Sequence, residues 1–247
     1  DAVSLSPLLE IRKGFDQWCC ERPCRPMAGA PQYLADPRAN DIDMLVIREN
    51  SEGEYVNQGG RLAVGTENEI ATQVALFTHR ATDRIIRHAF EQARVRAAER
   101  AAEGRERSFG RDEKASQVCM ITKRNAQRFW GDMWTDMFAE IAKDYPDVAT
   151  HHELVDAACM KFVSHPWAFD VVVASNLFGD ILTDLAAVLN GSMGVSPSSN
   201  VNPSDRTCPP MFEPTHGSAP DIAGKNLAGP TAMLLTTAMM LEWMGVE

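Results

Sequence analysis

The chain has 247 residues, of which 45% are hydrophobic, and carries a formal net charge of −10. That length and apolar content support one large domain or two of ordinary size. The acidic balance argues against a nucleic-acid binder, which needs a basic footprint, but a few arginines still suffice for a local anion pocket.

The opening "DAVSLSPLLEIRKGFDQW" has the pattern of an amphipathic helix, without the basic start and long apolar core of a secretory signal. "CCERPC" follows, with Cys19, Cys20 and Cys24. No second Cys or His pair stands at zinc-ligand spacing, so the six cysteines read as reduced structural thiols and point to a cytoplasmic protein. "RPCRPMAGAPQYLADPRAND" is rich in proline and reads as extended chain and loop, and "IDMLVIREN" as a buried strand. In "GEYVNQGGRLAVGTENEIATQVALFTH" the Gly59-Gly60 pair marks a turn between two β segments, a hairpin or arm.

Apolar residues at helical spacing predict a long helix over about 82–103, followed by a charged, mobile loop at 104–116. "QVCMIT" is a short strand ending before Lys123, and the next helix places Phe129, Trp130, Met133, Met137 and Ile141 on one packing face. "HHELVDAACMKFV" supplies another strand and a helix starting near Asp156. "DVVVASNLFGDILTDLAAVLN" supplies a buried strand, then an apolar helix carrying Asp180 and Asp184. A loop-rich stretch leads to a last apolar helix over about 230–244, interrupted by threonine and glutamate and too short to span a bilayer. Alternating strands and helices predict an α/β fold.

In open α/β sheets, ligands sit beyond the carboxyl ends of the strands, and Arg48, Lys123, Asp156, Asp180 and Asp184 all fall there. Two carboxylates four residues apart share a helix face. Together with a third they would favour a hard cation such as Mg²⁺ or Mn²⁺; alternatively, Asp180 is a favourable first-turn charge and Asp184 faces solvent. Arg12, Arg22 and Arg48 have the chemistry to bind carboxylates bidentately, though each also suits a surface position. In "EPTHGSAPDIAGKN" small residues permit close backbone approach to a flat ligand, yet no G-x-G-x-x-G fingerprint occurs in the chain.

Taken in order, "VIRENSEGEY", "ITKRN", "LVDA", "NLFGDILTD" and "EPTHGSAPDIAGKN" resemble the β-decarboxylating dehydrogenases, the family of isopropylmalate, isocitrate and tartrate/D-malate dehydrogenases. The resemblance implies a two-domain α/β fold with a central mixed sheet and flanking helices. Residues 1–17 and 191–247 would form the larger cofactor-binding domain, and 18–190 a second domain with a dimerisation arm. It implies a metal set of Asp180 and Asp184 with Asp156 from a partner subunit, holding Mg²⁺ or Mn²⁺ against a hydroxy dicarboxylate substrate. Arg12, Arg22 and Arg48 would clamp the carboxylates, with Leu8 and Leu9 beside them. Lys123, also from the partner, would act as base, and Tyr55 would protonate the enolate left by loss of CO₂. Glu213, His216, Gly217, Ser218, Ala219, Pro220, Asp221 and Ile222 would surround the cofactor. Asp221 favours NAD, because a carboxylate repels the 2′-phosphate of NADP.

Within the family, "RENSEGEYVNQGGR" and "FDQW" look most like the tartrate/D-malate branch, and Leu5 stands where isopropylmalate enzymes place a glutamate. The implied partners are a small hydroxy dicarboxylate and a second copy of the chain, with no nucleic acid or membrane. Isopropylmalate oxidation is the runner-up, and a non-catalytic dimerising or regulatory subunit the alternative of another class. Two departures stand out. "LAGP" places Gly229 where the family has an asparagine, and family members extend beyond both ends of this sequence, as expected for a fragment.

Overall fold

The computed structural model describes residues 6–246, so Leu5 lies outside them. Among these residues the strands are β1 (Cys19–Cys24), β2 (Met44–Glu49), β3 (Gly53–Leu62), β4 (Ile70–Leu76), β5 (Gln117–Thr122), β6 (Ala149–Leu154), β7 (Val171–Ala174), β8 (Pro197–Val201) and β9 (Met211–Pro214). The α-helices are α1 (Ser6–Gly14), α2 (His79–Ala102), α3 (Arg128–Ile141), α4 (Val155–Ser164), α5 (Asn176–Leu189) and α6 (Thr231–Met244). None of them is long and apolar enough to cross a membrane.

Seven strands make one mixed sheet in the order β6-β5-β7-β2-β1-β8-β9, and β3 and β4 form a separate hairpin. β6, β5, β7 and β2 run parallel, while β1, β8 and β9 are added antiparallel. Parallel strands covered on both faces require continuous apolar runs, and β2 and β7 are buried at every position. Ile85, Ile86, Ala89, Phe90 and Ala93 of α2 are fully buried against the sheet, with Phe90 stacked on Tyr145 at 4.8 Å between ring centroids. The α/β class and the mixed central sheet are as expected, and the carboxyl ends of the parallel strands form one edge.

Four local expectations need correction. Residues 22–24, expected as extended chain and loop outside the sheet-forming runs, lie in β1, near the middle of the sheet. β8 pairs only Cys19, Cys20 and Glu21, so around Pro23 the strand has a neighbour on one side, where a proline costs least. The stretch expected to be loop-rich contains β8 and β9. Ser198, Ser199 and Asn200 of β8 are buried polar residues kept satisfied by side-chain bonds, including Ser198 Oγ to the Glu213 carbonyl at 2.7 Å. Gly59 and Gly60 sit within β3 rather than at its turn, which falls between Leu62 and Ile70. At Gly59, with φ at +150°, a Cβ would lie 2.1 Å from the Thr72 carbonyl oxygen, so glycine permits the pairing. Phe129 is 94% exposed, and Trp134 and Phe138 take its place in the packed face of α3.

The charged loop at 104–116 is anchored rather than free. Arg107 donates to the Asp43 carbonyl at 2.8 Å, Arg105 to the Asp43 carboxylate at 3.1 Å, and Phe109 and Lys114 form an isolated bridge. Behind it, fully buried Asp170 accepts from Arg100 at 2.7 and 3.0 Å, from Arg96 at 3.0 Å and from the Gln117 N–H at 3.1 Å. Removing one partner of such a cluster leaves buried charge uncompensated, a cost of about 3–5 kcal/mol. Asp170→Asn should therefore lower the urea midpoint strongly at unchanged slope, measured by equilibrium unfolding.

Candidate active site

The site is built around the first turns of α5. Ser175 caps the helix, its hydroxyl accepting from the Phe178 N–H at 3.4 Å and donating to Glu54 at 3.1 Å. Glu54 also accepts from the Leu177 N–H at 3.2 Å, placing negative charge at the positive end of the helix dipole. Gly179 lets α5 approach β2 closely, since a Cβ there would lie 2.6 Å from Arg48 Cγ and 2.7 Å from Arg48 Cβ.

Arg48, buried on β2, donates through Nε and a terminal nitrogen to Asn176 Oδ1 at 2.9 and 2.7 Å, and its other terminal nitrogen pairs with Asp180. Arg22 of β1 donates to Thr183 Oγ1 at 2.5 Å and stands 3.8 Å from Asp180. The Tyr55 hydroxyl donates to the other Asp180 oxygen at 2.9 Å, and its ring lies 5.3 Å from the Arg48 guanidinium. At the end of α1, Arg12 pairs with Glu213 at 3.2 Å, and Glu213 accepts from Asn200 at 3.0 Å. Leu8 and Leu9 are half-buried on the same helix.

Three arginines thus face Asp180, Asp184 and Glu213, and the formal charges cancel. Partial burial and the Asp180 charge raise the Asp184 carboxyl above its ordinary range, although its side chain opens to solvent. Among the described residues Asp184 has no hydrogen-bond or ion-pair partner, and the buried Nε atoms of Arg12 and Arg22 have none either. A divalent cation fits this arrangement. It would meet two carboxylates at one-turn spacing, one of them unpartnered, and would relieve the repulsion between them. A dianionic ligand suits the same place, because the guanidinium groups of Arg12, Arg22 and Arg48 favour carboxylates and its charge would offset that of the cation. Burial, with the Asp180 charge, raises the Tyr55 pKa, so the phenol stays protonated at neutral pH.

Lys123 and Asp156 follow β5 and β6 along the same sheet edge, but they pair with each other at 2.7 Å. That contact holds the Asp156 carboxyl below its ordinary range. Among the described residues, neither touches the Asp180 group. α4 and α5, which pack together, expose Met160, Val163, Ile181 and Val188.

The small-residue loop lines a cleft of about 960 Å³ together with Met193–Val195, and His216, Gly217, Ser218, Ala219, Ile222 and Gly229 are on its wall. Exposed Asp221 and Pro220 are adjacent in the chain but not on that wall, and Glu213 points instead to Arg12. The cleft is large enough for part of a dinucleotide, and its wall combines glycines with apolar side chains, which suits a flat ring system. Another cleft of about 800 Å³, beside Asp43 and Arg107, lies at the opposite end of the strands.

Glu54, Asn176 and Asn200 were not foreseen. Ser175 before an apolar run is a readable cap, but its pairing with Glu54 joins residues 121 positions apart.

The family model described as isocitrate/isopropylmalate dehydrogenase matches residues 1–247. The chain belongs to that family. It is 43% identical over 246 residues to the D-malate dehydrogenase [decarboxylating] of Escherichia coli strain K12, covering 99% of this chain and 63% of that protein. It is 44% identical over 247 residues to the tartrate dehydrogenase/decarboxylase of Pseudomonas putida, again covering 99% of this chain and 63% of that protein. The crystal structure of isocitrate dehydrogenase from Methylococcus capsulatus superposes with a TM-score of 0.79 at 36% identity, over 95% of this chain and 61% of that one. The chain therefore spans under two thirds of the length of these relatives.

Proposed function

We propose that the protein to which this chain belongs oxidises and decarboxylates a 2-hydroxy dicarboxylic acid, D-malate or tartrate, with NAD and Mg²⁺ or Mn²⁺. The observation that carries this reading is the convergence of buried Arg22 and Arg48 on Asp180, with Asp184 one turn further along α5 and without a partner among the described residues. Asp180 and Asp184 would hold the cation, joined by Asp156 of a second copy whose apolar α4 and α5 surface meets this one. Bound there, the metal supplies Lewis acidity, lowering the pKa of the substrate hydroxyl and stabilising charge on its oxygen. NAD, held by the 216–222 loop, supplies the hydride acceptor.

The remaining steps belong to side chains of the chain itself. Arg12, Arg22 and Arg48 bind the two carboxylates and align the carbinol carbon. Lys123 of the second copy, freed from its own Asp156 on docking, would take up the hydroxyl proton as the neutral amine. Tyr55 delivers its phenolic proton to carbon once CO₂ has left. Asp221 disfavours the 2′-phosphate of NADP. Isopropylmalate is the second substrate reading, favoured by Leu8 and Leu9 on α1 and by the description of the matching family.

The test compares NADH formation from D-malate, tartrate and 3-isopropylmalate with Mn²⁺, by the protein with its natural ends. Turnover of D-malate or tartrate that chelator abolishes, with NAD preferred over NADP, is expected. Turnover of isopropylmalate alone would overturn the substrate assignment. Inactivity of a folded dimer on all three would overturn the enzymatic reading.

A further inference from the structure

On the other face of β1 from the substrate arginines lies a second group of ligating side chains. Successive strand residues point to opposite faces, so Cys20 and Arg22 face α5 while Cys19 and Glu21 face α2. There His88 of α2 meets them: Nε2 lies 2.7 Å from Glu21 Oε1, and the ligating atoms of Cys19, Glu21 and His88 all fall within 4.8 Å of one another. Cys19 and His88 are buried and Glu21 reaches the surface, leaving a path for an ion from the Glu21 side. Trp18 presses edge-on against the His88 ring, with centroids 5.8 Å apart and planes at 84°, and so fixes its orientation. Ser199 Oγ, 3.5 Å from the second Glu21 oxygen, adds a hydroxyl to the rim.

We propose that Cys19, Glu21 and His88 form a binding site for Zn²⁺ or a similar borderline-soft divalent cation, separate from the aspartate pair. The donor set decides the class of metal. One sulfur, one imidazole nitrogen and one carboxylate oxygen, with solvent in a fourth position, match zinc, whereas Mg²⁺ and Mn²⁺ prefer oxygen alone. Bonds of about 2.0–2.3 Å at tetrahedral angles put ligand atoms about 3.3–3.6 Å apart. The glutamate–histidine hydrogen bond would open by under an ångström and the thiol would close inward, both small rotamer adjustments. Without metal, burial raises the Cys19 thiol far above its ordinary pKa, keeping it protonated. Binding must then release that proton, so affinity rises with pH.

The experiment is a Co²⁺ titration of the chain in excess Mg²⁺, which occupies oxygen-only sites, read by near-ultraviolet thiolate-to-cobalt absorption. A saturable band is expected, displaced by Zn²⁺ and accompanied by a rise in Tm. It should disappear in Cys19→Ala, weaken at least tenfold in His88→Gln, and persist in Cys208→Ala, since Cys208 is a more exposed thiol. Circular dichroism identifies folded variants, and if Cys19→Ala fails to fold, His88→Gln decides. Absence of the band in the folded wild type, or its survival at full strength in folded Cys19→Ala or His88→Gln, overturns the proposal. So does its loss in Cys208→Ala.

Discussion

Asp180→Asn is expected to lower NADH formation by about 10³-fold or more, equivalent to about 4 kcal/mol of lost transition-state stabilisation. The side chain keeps its shape, but asparagine has one acceptor oxygen where Arg48 and Tyr55 use two, so the loss would combine the missing charge with one broken hydrogen bond. Asp180 balances Arg48 and Arg22 and carries half of the carboxylate pair. Neutralising it leaves buried Arg48 without a counter-charge, and stability should fall as well, towards the about 3–5 kcal/mol of a broken buried pair. Asp184→Asn provides the contrast. Among the described residues Asp184 has no arginine partner, and it opens to solvent, so its replacement should change stability by no more than about 0.5 kcal/mol while still removing metal binding. The raised Asp184 pKa sets the sign of its pH effect. With the folded pKa above the unfolded one, ionisation disfavours the folded state, and the penalty grows as pH rises through that range. Asp184→Asn removes this slope in the metal-free protein. Mn²⁺ binding by isothermal calorimetry and urea unfolding of both variants test the pair. Unaltered Mn²⁺ affinity in both would remove the metal assignment.

How far the sequence revealed this site depends on where each constraint lies along the chain. The Asp180/Asp184 pair was legible because both its members and the helix presenting them are local: the valine run, Ser175 and the one-turn spacing suffice. The positions of Arg48 and Lys123 followed from strand ends for the same reason. β1 and β8 were not legible. Their membership of the sheet is a tertiary fact that overrides the proline of "CCERPC" and the polarity of "PSSNV", and Ser198 and Asn200 tolerate burial because Glu213 answers both and Asn50 donates to Asn200. Glu213 itself sits in the small-residue motif by sequence but faces Arg12 in space. The Cys19, Glu21 and His88 group escaped any spacing rule because its histidine comes from another element, 67 residues beyond Glu21.

Gly179→Ala is the second substitution with a large expected effect, and it acts without touching a charged group. Its new methyl would meet Arg48 Cγ at 2.6 Å, Cβ at 2.7 Å and Cα at 3.2 Å. The last of these belongs to the backbone of β2, held between β7 and β1 in the middle of the sheet, so neither neighbour yields easily. Alanine is the better helix former by about 1 kcal/mol, and on propensity alone the change would stabilise α5. Overpacking of this kind costs about 1–3 kcal/mol, so the steric term should win and Tm should fall. The displacement has a direction that matters for chemistry. Pushing α5 away from β2 lengthens the Arg48 contacts to Asn176 and Asp180 together, and with them the spacing of the proposed metal and carboxylate positions. A misplacement of about 1 Å can cost about 10²-fold in rate, so activity should fall further than stability does at a temperature where the variant is fully folded. Steady-state kinetics and thermal unfolding of Gly179→Ala, with Gly179→Ser as the larger step, measure the two effects separately. A variant as stable and as active as the wild type would mean that the close approach of α5 to β2 does not hold the arginine and the aspartates in register.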